Sequence, residues 1–262
     1  MADGVTPAPA ASGPPAPAPR LVAAAAMVFV ADPVAPVVDD ADIHHLVDVL
    51  RLRPGEEVVA SDGAGRWVPC RVAGAAGRGA RGADGTALLI PDGPPVVDAR
   101  PAPAITVAFV PTKGDRPEWV VQKLTELGVD RIVPLRSSRS VVRWEGERAD
   151  RAVGRLIRVA REAAAQSRRV WLPEVTPVTS LDALADGDAG PGPALADWGG
   201  PAPSLDRPVV AVGPEGGWTD EERVRFGAGV GLGPTVLRAE TAAVAAGALL
   251  CGLRCGVVAA LA

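Results

Sequence analysis

The chain has 262 residues, of which 48% are hydrophobic, 22% charged and 3% aromatic, so it can build a sizeable core mainly from aliphatic side chains. Its formal net charge of −4 excludes a histone-like polycation, and any contact with nucleic acid must come from a local basic patch. Three cysteines without CxxC spacing argue against a disulfide framework. Because the only histidines are one adjacent pair, we expect no metal site.

The two ends of the chain carry no clear targeting signal. Residues 1–20 are mostly alanine and proline, a composition that predicts a disordered tail. The apolar decamer 21–30 resembles a short secretion signal, but no convincing cleavage site follows it, and acidic residues begin at Asp32, just after it. The apolar segment 241–262 is interrupted by Arg254, which favours a packed helix over a membrane span. We therefore expect a cytoplasmic protein that does not enter a membrane.

Short β-type segments dominate residues 21–92. Strands are predicted at 27–30, 57–61, 67–72 and 86–90, with Gly-containing turns between them and one short helix at 41–50. This pattern predicts a small β-barrel. A proline-rich connector at 93–103 then separates it from the rest of the chain.

From residue 104 onward, strands alternate with helices. Buried strands are predicted at 104–110, 131–135 and 208–212, and a short one near 230–232. Asp115 with Glu118, and Thr219 with Glu222, predict the capped starts of two helices, and Gly128 predicts the end of the first. A long helix is expected at 148–167 and an apolar one at the C-terminus. This alternation predicts an α/β domain with a parallel sheet covered on both faces.

The middle of the chain is the basic part. Residues 104–175 carry 14 basic and 9 acidic side chains, a net +5, whereas the segments on either side are acidic. Five arginines of the long helix share one face at 100° per residue: Arg148, Arg151, Arg155, Arg158 and Arg161. Such a face can contact successive phosphates of a nucleic acid. An ordinary solvated face, partly neutralised by neighbouring glutamates, is the alternative.

Two glycine-containing turns follow predicted strands of the α/β part. Gly213-Pro-Glu-Gly-Gly217 follows the strand 208–212, and Gly233-Pro follows the short strand near 230–232. Ligands of open α/β sheets bind at the carboxyl ends of the strands, and glycine lets the backbone approach a ligand closely. Glu215 would oppose a phosphate, so the pocket suits a neutral or cationic ligand. Two purely structural turns are the alternative.

Five segments in this order resemble one known family. They are Lys113-Gly-Asp-Arg116 with Glu118-Trp-Val-Val-Gln-Lys-Leu-Thr-Glu126-Leu-Gly128, Ser137-Ser-Arg139-Ser140, Glu162-Ala-Ala-Ala-Gln-Ser-Arg-Arg169, Gly213-Pro-Glu-Gly-Gly217 and Leu232-Gly-Pro-Thr-Val-Leu-Arg238-Ala-Glu240-Thr-Ala242. Together they resemble the bacterial 16S rRNA uridine N3-methyltransferases of the SPOUT superfamily. The segment around His44-His45 and Pro54-Gly55-Glu56 resembles the PUA-like RNA-binding domain of that family. Ala165 stands where the family usually has glutamate, so that carboxylate cannot be essential here.

The resemblance implies a fold and a set of partners. It implies a PUA-like β-barrel at 21–92 and, after the linker, a SPOUT-type parallel sheet at 104–262 with a C-terminal trefoil knot. It also implies S-adenosylmethionine as cofactor and a homodimer that methylates a uridine N3 of 16S rRNA within an assembled small subunit. A non-catalytic RNA-binding protein, or a SPOUT methyltransferase acting on another RNA, are the alternatives.

The resemblance also assigns site residues. Cofactor contacts are expected from Val212, Gly213, Glu215, Gly216, Leu232, Gly233 and Leu237, with Gly213, Gly216 and Gly233 closest to it. RNA contacts are expected from Arg51, Lys113, Arg116, Arg151, Arg155, Arg158 and Arg169. Arg139 or Arg238 would stabilise negative charge on the uracil, Arg139 being favoured, with Arg238 paired to Glu240. Glu126 or Glu240 would accept the N3 proton or only orient an arginine.

Overall fold

The computed structural model describes residues 18–73, 88–187, 192–227 and 229–259. Two sheets organise them. The strands are β1 (Ala26–Phe29), β2 (Glu57–Ser61), β3 (Arg66–Val72), β4 (Leu89–Pro91), β5 (Val96–Val97), β6 (Thr106–Phe109), β7 (Arg131–Arg136), β8 (Glu174–Val175), β9 (Thr179–Ser180), β10 (Ala194–Leu195) and β11 (Val209–Val212). The helices are α1 (Pro19–Ala23), α2 (Asp40–His44), α3 (Arg116–Leu127), α4 (Gly146–Gln166), α5 (Leu181–Asp186), α6 (Asp220–Phe226) and α7 (Ala239–Arg254), and a π-helical turn at His45–Val49 continues α2.

The N-terminal sheet contains β1 to β5. Its strands run in the order β1-β2-β3-β4, with β5 beside β3; β1 pairs with β2 in parallel and the other pairs are antiparallel. Alternate residues such as Val28, Val58 and Val68 pack with Leu46 of the π-helical turn in one core. Within the residues described, the pairings form an open path, and β5 falls inside the segment predicted as a connector. The strands predicted at 27–30, 57–61 and 67–72 are confirmed as β1, β2 and β3 to within a residue or two.

Residues just before β1 are anchored to this sheet. Pro19–Ala23 is helical, Leu21 is buried, and Arg20 lies 2.9 Å from Glu57 and 2.8 Å from Asp92. This double contact lowers the pKa of both carboxyl groups. The predicted disordered tail at 1–20 is therefore wrong at its last residues, and residues 1–17 lie outside the described part. Residues 89 and 90 of the predicted strand 86–90 belong to β4, whereas residues 86–87 lie outside the described ranges.

The second sheet is parallel throughout. Its strands run β10-β11-β6-β7-β8, and β9 adds a second short pairing to β7. Val107 and Phe109 of β6 face α3, α4 and α7, whereas Ala108 faces the side covered by α5 and α6. Successive residues of a strand point to opposite faces, so a strand buried on both sides is apolar at every position. The predicted α/β architecture with both faces covered is confirmed.

Local signals within this domain are mostly realised. The predicted capping box of Thr219 and Glu222 forms, with Glu222 N donating to Thr219 Oγ1 at 3.2 Å, and Gly128 ends α3 in the left-handed conformation. Asp115 precedes α3 but its side chain makes no capping bond, so that prediction is wrong. The strand expected near 230–232 is reduced to one bridge between Ala196 and Val230.

Helix α4 joins the two sheets. Near its C-terminus, Arg161 Nη2 donates to Phe29 O of β1 at 2.7 Å, and Arg168 Nη2 donates to Ala24 O and Ala25 O at 2.8 and 2.9 Å. Gly65 N donates to Val170 O at 3.1 Å beyond the helix. Arg161 therefore binds the N-terminal domain, and we no longer count it among the arginines of α4 that can contact phosphates.

No helix within the described ranges is long and apolar enough to cross a membrane. The domain boundaries and the trefoil knot stay predictions.

Candidate active site

A cavity of about 400 Å³ lies at the carboxyl ends of β10 and β11. Three chain segments wall it: residues 196–198 after β10, residues 212–215 at the end of β11, and residues 232–239 leading into α7. Six of the seven predicted cofactor residues line it: Val212, Gly213, Glu215, Leu232, Gly233 and Leu237. The volume is within the range of small-molecule sites. The two glycine-containing turns predicted from the sequence thus form two walls of one pocket.

Trp218 explains why residue 213 is glycine. Its buried ring packs behind the turn, and its Nε1 donates to Ala196 O at 3.0 Å, which ties the first wall to the second. A Cβ on Gly213 would lie 3.0 Å from this ring, closer than the packing allows without movement. Contact with the Trp218 ring is therefore one reason why residue 213 must lack a side chain. The reason expected from the sequence was a different one, namely close approach of the backbone to the cofactor.

Gly216 does not line the cavity. It is exposed, and a Cβ at this position would be 3.6 Å from Arg139, an ordinary contact. Its carbonyl accepts from Arg139 Nη1 at 2.7 Å, and the same nitrogen donates to Trp218 O at 3.2 Å. The structure therefore does not place Gly216 in the lining of the cavity, where it was expected from the sequence. Arg139 thus holds the turn through two of its backbone carbonyls, a contact that the sequence did not predict.

The third wall carries Arg238 at the start of α7. Arg238 is exposed and lines the cavity, and no other described residue forms a hydrogen bond or ion pair with its side chain. Its predicted pairing with Glu240 is wrong, because Glu240 Oε1 lies 3.6 Å from Arg116 Nη1. The other oxygen, Glu240 Oε2, is buried with no hydrogen-bond partner among the described residues. Arg238 is therefore a cation available to a ligand, and Glu240 holds an available acceptor.

Glu126 is far from this cavity. It lies on the last turn of α3, ten residues beyond Arg116, or about 15 Å along the helix axis. Both of its oxygens accept from Lys123 Nζ, at 2.9 and 3.0 Å. The structure therefore does not bring Glu126 together with the other predicted catalytic residues.

Asp197 and Arg223 stabilise the wall that follows β10. Arg223 Nε donates to Asp197 Oδ2 at 2.7 Å, and Arg223 Nη1 donates to Trp218 O at 2.9 Å. The guanidinium lowers the pKa of the Asp197 carboxyl, and the carboxylate raises the pKa of Arg223 in return. Neither residue was predicted from the sequence. The signal was present, since the apolar run 194–196 ends in Asp-Trp-Gly-Gly, the same strand-then-glycine pattern as after β11.

The predicted RNA contacts have four different surroundings. Lys113, Arg151 and Arg155 line a second cleft between α3 and α4. Arg51 and Arg158 are exposed elsewhere, on the N-terminal domain and on α4, and Arg116 pairs with Glu240 as described above.

Arg169, in contrast, points into the protein. Its guanidinium donates to Thr125 O at 3.1 Å and lies 3.4 Å from the buried Asp130, which Arg254 also contacts. Burial lowers the pKa of Arg169 to about 10, although Asp130 favours its charged form. Only 13% of its side chain is exposed, so Arg169 leaves the set of proposed RNA contacts.

Comparison with known proteins decides the family. Residues 100–251 match the model of an RNA methyltransferase domain, and residues 38–81 match an RNA methyltransferase PUA domain. The chain belongs to this RNA methyltransferase family. Among curated members, ribosomal RNA small subunit methyltransferase E of Mycobacterium bovis is 35% identical over 226 residues, covering 80% of this chain and 83% of the relative. The protein of the same name from Bacillus subtilis is 30% identical over 220 residues, covering 77% and 83%.

Solved structures of the family share the fold. Ribosomal RNA small subunit methyltransferase E from Neisseria gonorrhoeae, bound to S-adenosyl methionine, is 29% identical with a TM-score of 0.70, covering 87% of this chain and 97% of that one. A probable rRNA methyltransferase from Porphyromonas gingivalis is 25% identical with a TM-score of 0.71, covering 89% and 100%. The predicted α/β fold with a parallel sheet is thereby confirmed as that of the RNA methyltransferase family.

Proposed function

We propose that the chain transfers the methyl group of S-adenosylmethionine to N3 of a uridine in 16S ribosomal RNA. The observation that carries the proposal is the convergence of both glycine-containing turns and Arg238 on one cavity at the strand ends. Membership of the RNA methyltransferase family, and the cofactor in the related Neisseria structure, support it.

The cavity fits this cofactor chemically. Val212, Leu232 and Leu237 give an apolar surface for an adenine ring, and the backbone at the ends of the strands offers polar groups for the ribose and amino acid parts. Glu215 at the cavity carries a negative charge, which favours a cationic ligand over a phosphate. When bound, the cofactor supplies a methyl group activated by a positively charged sulfur.

The protein's own residues then have two tasks. A uracil that loses its N3 proton becomes negatively charged, and Arg238 offers a permanent cation at the cavity to stabilise that charge. The proton needs an acceptor, and Glu240 Oε2, two residues further along the chain, is a buried carboxylate oxygen without a hydrogen-bond partner among the described residues. Arg139 acts indirectly by holding the turn 213–217 in place.

RNA binding is assigned to exposed cations on both domains. Arg158 and Arg151 on α4 and Arg51 on the N-terminal domain are exposed and can face phosphates. We place the reaction in the cytoplasm, on an assembled small subunit, as part of the same proposal. A drop in RNA affinity with rising salt, with a slope reduced when these arginines are neutralised, is the expected signature.

A homodimer through α7 is part of the proposal. The outer side of this helix carries Val244, Ala245 and Leu249, which are only partly buried in the single chain, and an exposed Ala248. Small apolar side chains on one helix face suit close packing against a second copy. Light scattering coupled to size-exclusion chromatography should give twice the monomer mass, and a Val244→Glu variant should elute as a monomer.

The decisive experiment measures the modified nucleoside. Ribosomal RNA from a strain lacking this gene should lose N3-methyluridine in the small subunit by mass spectrometry, and the wild-type gene should restore it. Isothermal titration should detect binding of S-adenosylmethionine to the purified chain. A non-catalytic RNA-binding protein would give no heat and an unchanged nucleoside profile, and either result would refute the proposal.

A further inference from the structure

A second cleft shares no lining residue with the cofactor cavity and is chemically different from it. Its volume is about 260 Å³, and it opens between α3 and α4 where the chain leaves β6. The charged and aromatic side chains that line it are Lys113, Glu118, Trp144, Arg148, Arg151 and Arg155. Four of these side chains are cations and one is a carboxylate, so the cleft is strongly positive.

The cations of the cleft are available to an anion. Within the described ranges, Lys113 and Arg148 have no hydrogen bond or ion pair. Arg151 pairs with Glu147 at 3.0 Å, but Glu147 is 88% exposed, and such a surface pair contributes little and exchanges readily. A phosphodiester group accepts from several such donors at once, which is the common way proteins hold an RNA backbone.

A phosphate alone does not account for Glu118. Its Oε1 accepts from Arg155 Nε at 3.2 Å, whereas its Oε2 is buried and has no partner among the described residues. A buried acceptor without a donor is destabilising, and it is satisfied when a ligand supplies an N–H group. Because a carboxylate repels a phosphate, the two parts of the cleft must face different parts of the same ligand.

Trp144 supplies a third element. It is half-buried and packs against the core of the α/β domain, so the indole is held in place while it also lines the cleft. Unstacked RNA bases are commonly held on aromatic side chains while their edges form hydrogen bonds. An indole, a free carboxylate oxygen and a group of cations match the base, the base edge and the phosphate of one nucleotide.

We propose that the cleft between α3 and α4 binds one unstacked nucleotide of the RNA substrate. Its phosphate faces Lys113, Arg148 and Arg151, its base lies against Trp144, and an N–H on its base edge donates to Glu118 Oε2. The inference rests on the proposed function, because it takes RNA as the substrate. It goes further in assigning a nucleotide-reading site outside the cofactor cavity.

The test uses the full chain and three labelled single-stranded 12-mers, read by fluorescence anisotropy without cofactor. The first contains only uridine, the second has the same backbone without bases, and the third contains only N3-methyluridine, which lacks the N–H donor. Loss of stacking should weaken binding of the abasic RNA about tenfold. Loss of one hydrogen bond should weaken binding of the methylated RNA about fivefold.

Variants locate the effect. Glu118→Met should bind the uridine and N3-methyluridine 12-mers equally, and Trp144→Leu should narrow the difference between the uridine and abasic 12-mers. Lys113→Gln should weaken all three RNAs alike. The matched control is Lys123→Gln, the other lysine of the chain, which lies near the far end of α3 and pairs with Glu126. Its affinities should equal those of the wild type.

Two results would overturn the inference. Equal affinity of the wild type for all three RNAs would make the cleft a phosphate site only, and a preference that survives in Glu118→Met would place base reading elsewhere. If that variant does not fold, a 12-mer containing 4-thiouridine, photocrosslinked to the wild type, should attach to the peptide that contains Trp144; attachment elsewhere refutes the site. Methylation of small subunits by the same preparation tests the proposed function separately, since the binding assay requires no turnover.

Discussion

Replacing Arg139 by methionine tests how the cofactor turn is held. Arg139 Nη1 donates to Gly216 O at 2.7 Å and to Trp218 O at 3.2 Å, across 77 and 79 residues of sequence. Methionine keeps much of the aliphatic length but removes both donors. The turn it releases contains Gly213 and Glu215, which line the cavity.

The expected size follows from the contacts. A hydrogen bond within a protein contributes about 1 kcal/mol after exchange with water, and the longer of these two is weak. Because the shorter of the two hydrogen bonds is solvent-exposed, we take about 1–2 kcal/mol as the free energy by which both together order the turn. If binding of the cofactor requires the ordered turn, its dissociation constant should rise by a factor of about 5–30.

Isothermal titration with S-adenosylmethionine measures this change directly. The matched control is Arg131→Met, because Arg131 begins β7 at the amino end of the parallel strands, whereas the cavity lies at their carboxyl ends, and Arg131 lies 3.7 Å from Glu174. Its affinity should equal that of the wild type, and neither variant should change the affinity for RNA by more than about twofold. An unchanged cofactor affinity in folded Arg139→Met would show that the clamp does not hold the turn.

Three further predictions concern the cavity wall and the cysteines. Arg238→Lys should slow single-turnover methylation of assembled small subunits about a hundredfold, with cofactor and RNA affinities nearly unchanged, because lysine keeps the charge but loses the planar fork. Because Arg223 lowers the pKa of Asp197, their pair stabilises the fold above the ordinary carboxyl pKa of about 4 and less as the pH falls through the lowered value. Denaturant titrations should therefore separate Arg223→Gln from the wild type by less than about 1 kcal/mol at pH 6, and by less still at pH 3. Burial raises the pKa of Cys251 to about 11, so iodoacetamide at pH 8 should modify the half-buried Cys255 first, as peptide mass spectrometry would detect.

Local patterns predicted the elements that position the cavity. The strand β11 is apolar at all four positions because both of its faces are covered, and the Thr219 capping box fixes the start of α6 just beyond Trp218. These signals are encoded within a few consecutive residues. The seven predicted cofactor residues came from the same short segments, together with the resemblance to the family, and the structure brings six of them to one cavity.

Other elements carry only a weak local signal. Strands β8, β9 and β10 have two residues each, too few for any periodicity, and they exist because neighbouring strands offer unpaired backbone groups. The wall containing Asp197 depends on β10 and was therefore missed. Ile157 of α4 lies on the side opposite Arg148 at 100° per residue but is 50% exposed, because the neighbouring elements do not cover this part of the helix.

The arginines show most clearly what sequence periodicity cannot distinguish. Arg155 and Arg161 lie on the same predicted face of α4, yet Arg155 lines the cleft beside α3 and Arg161 donates to the carbonyl of Phe29 in the other domain. Position along the helix separates them, since 21 residues extend about 31 Å and pass from one domain to the other. The partner of each guanidinium is set by what packs beside that turn of the helix, which only the tertiary structure specifies.

Helix α4 therefore connects two tasks that the sequence assigns to one basic face. Its N-terminal half presents Arg148 and Arg151 to the cleft, and its C-terminal end holds the N-terminal domain through Arg161 and Arg168. Because a helix is stiff over this length, the cleft and the N-terminal domain are held at a fixed spacing. An RNA that contacts both must present its phosphates at that spacing, so the helix can select a folded RNA by shape before any base is read.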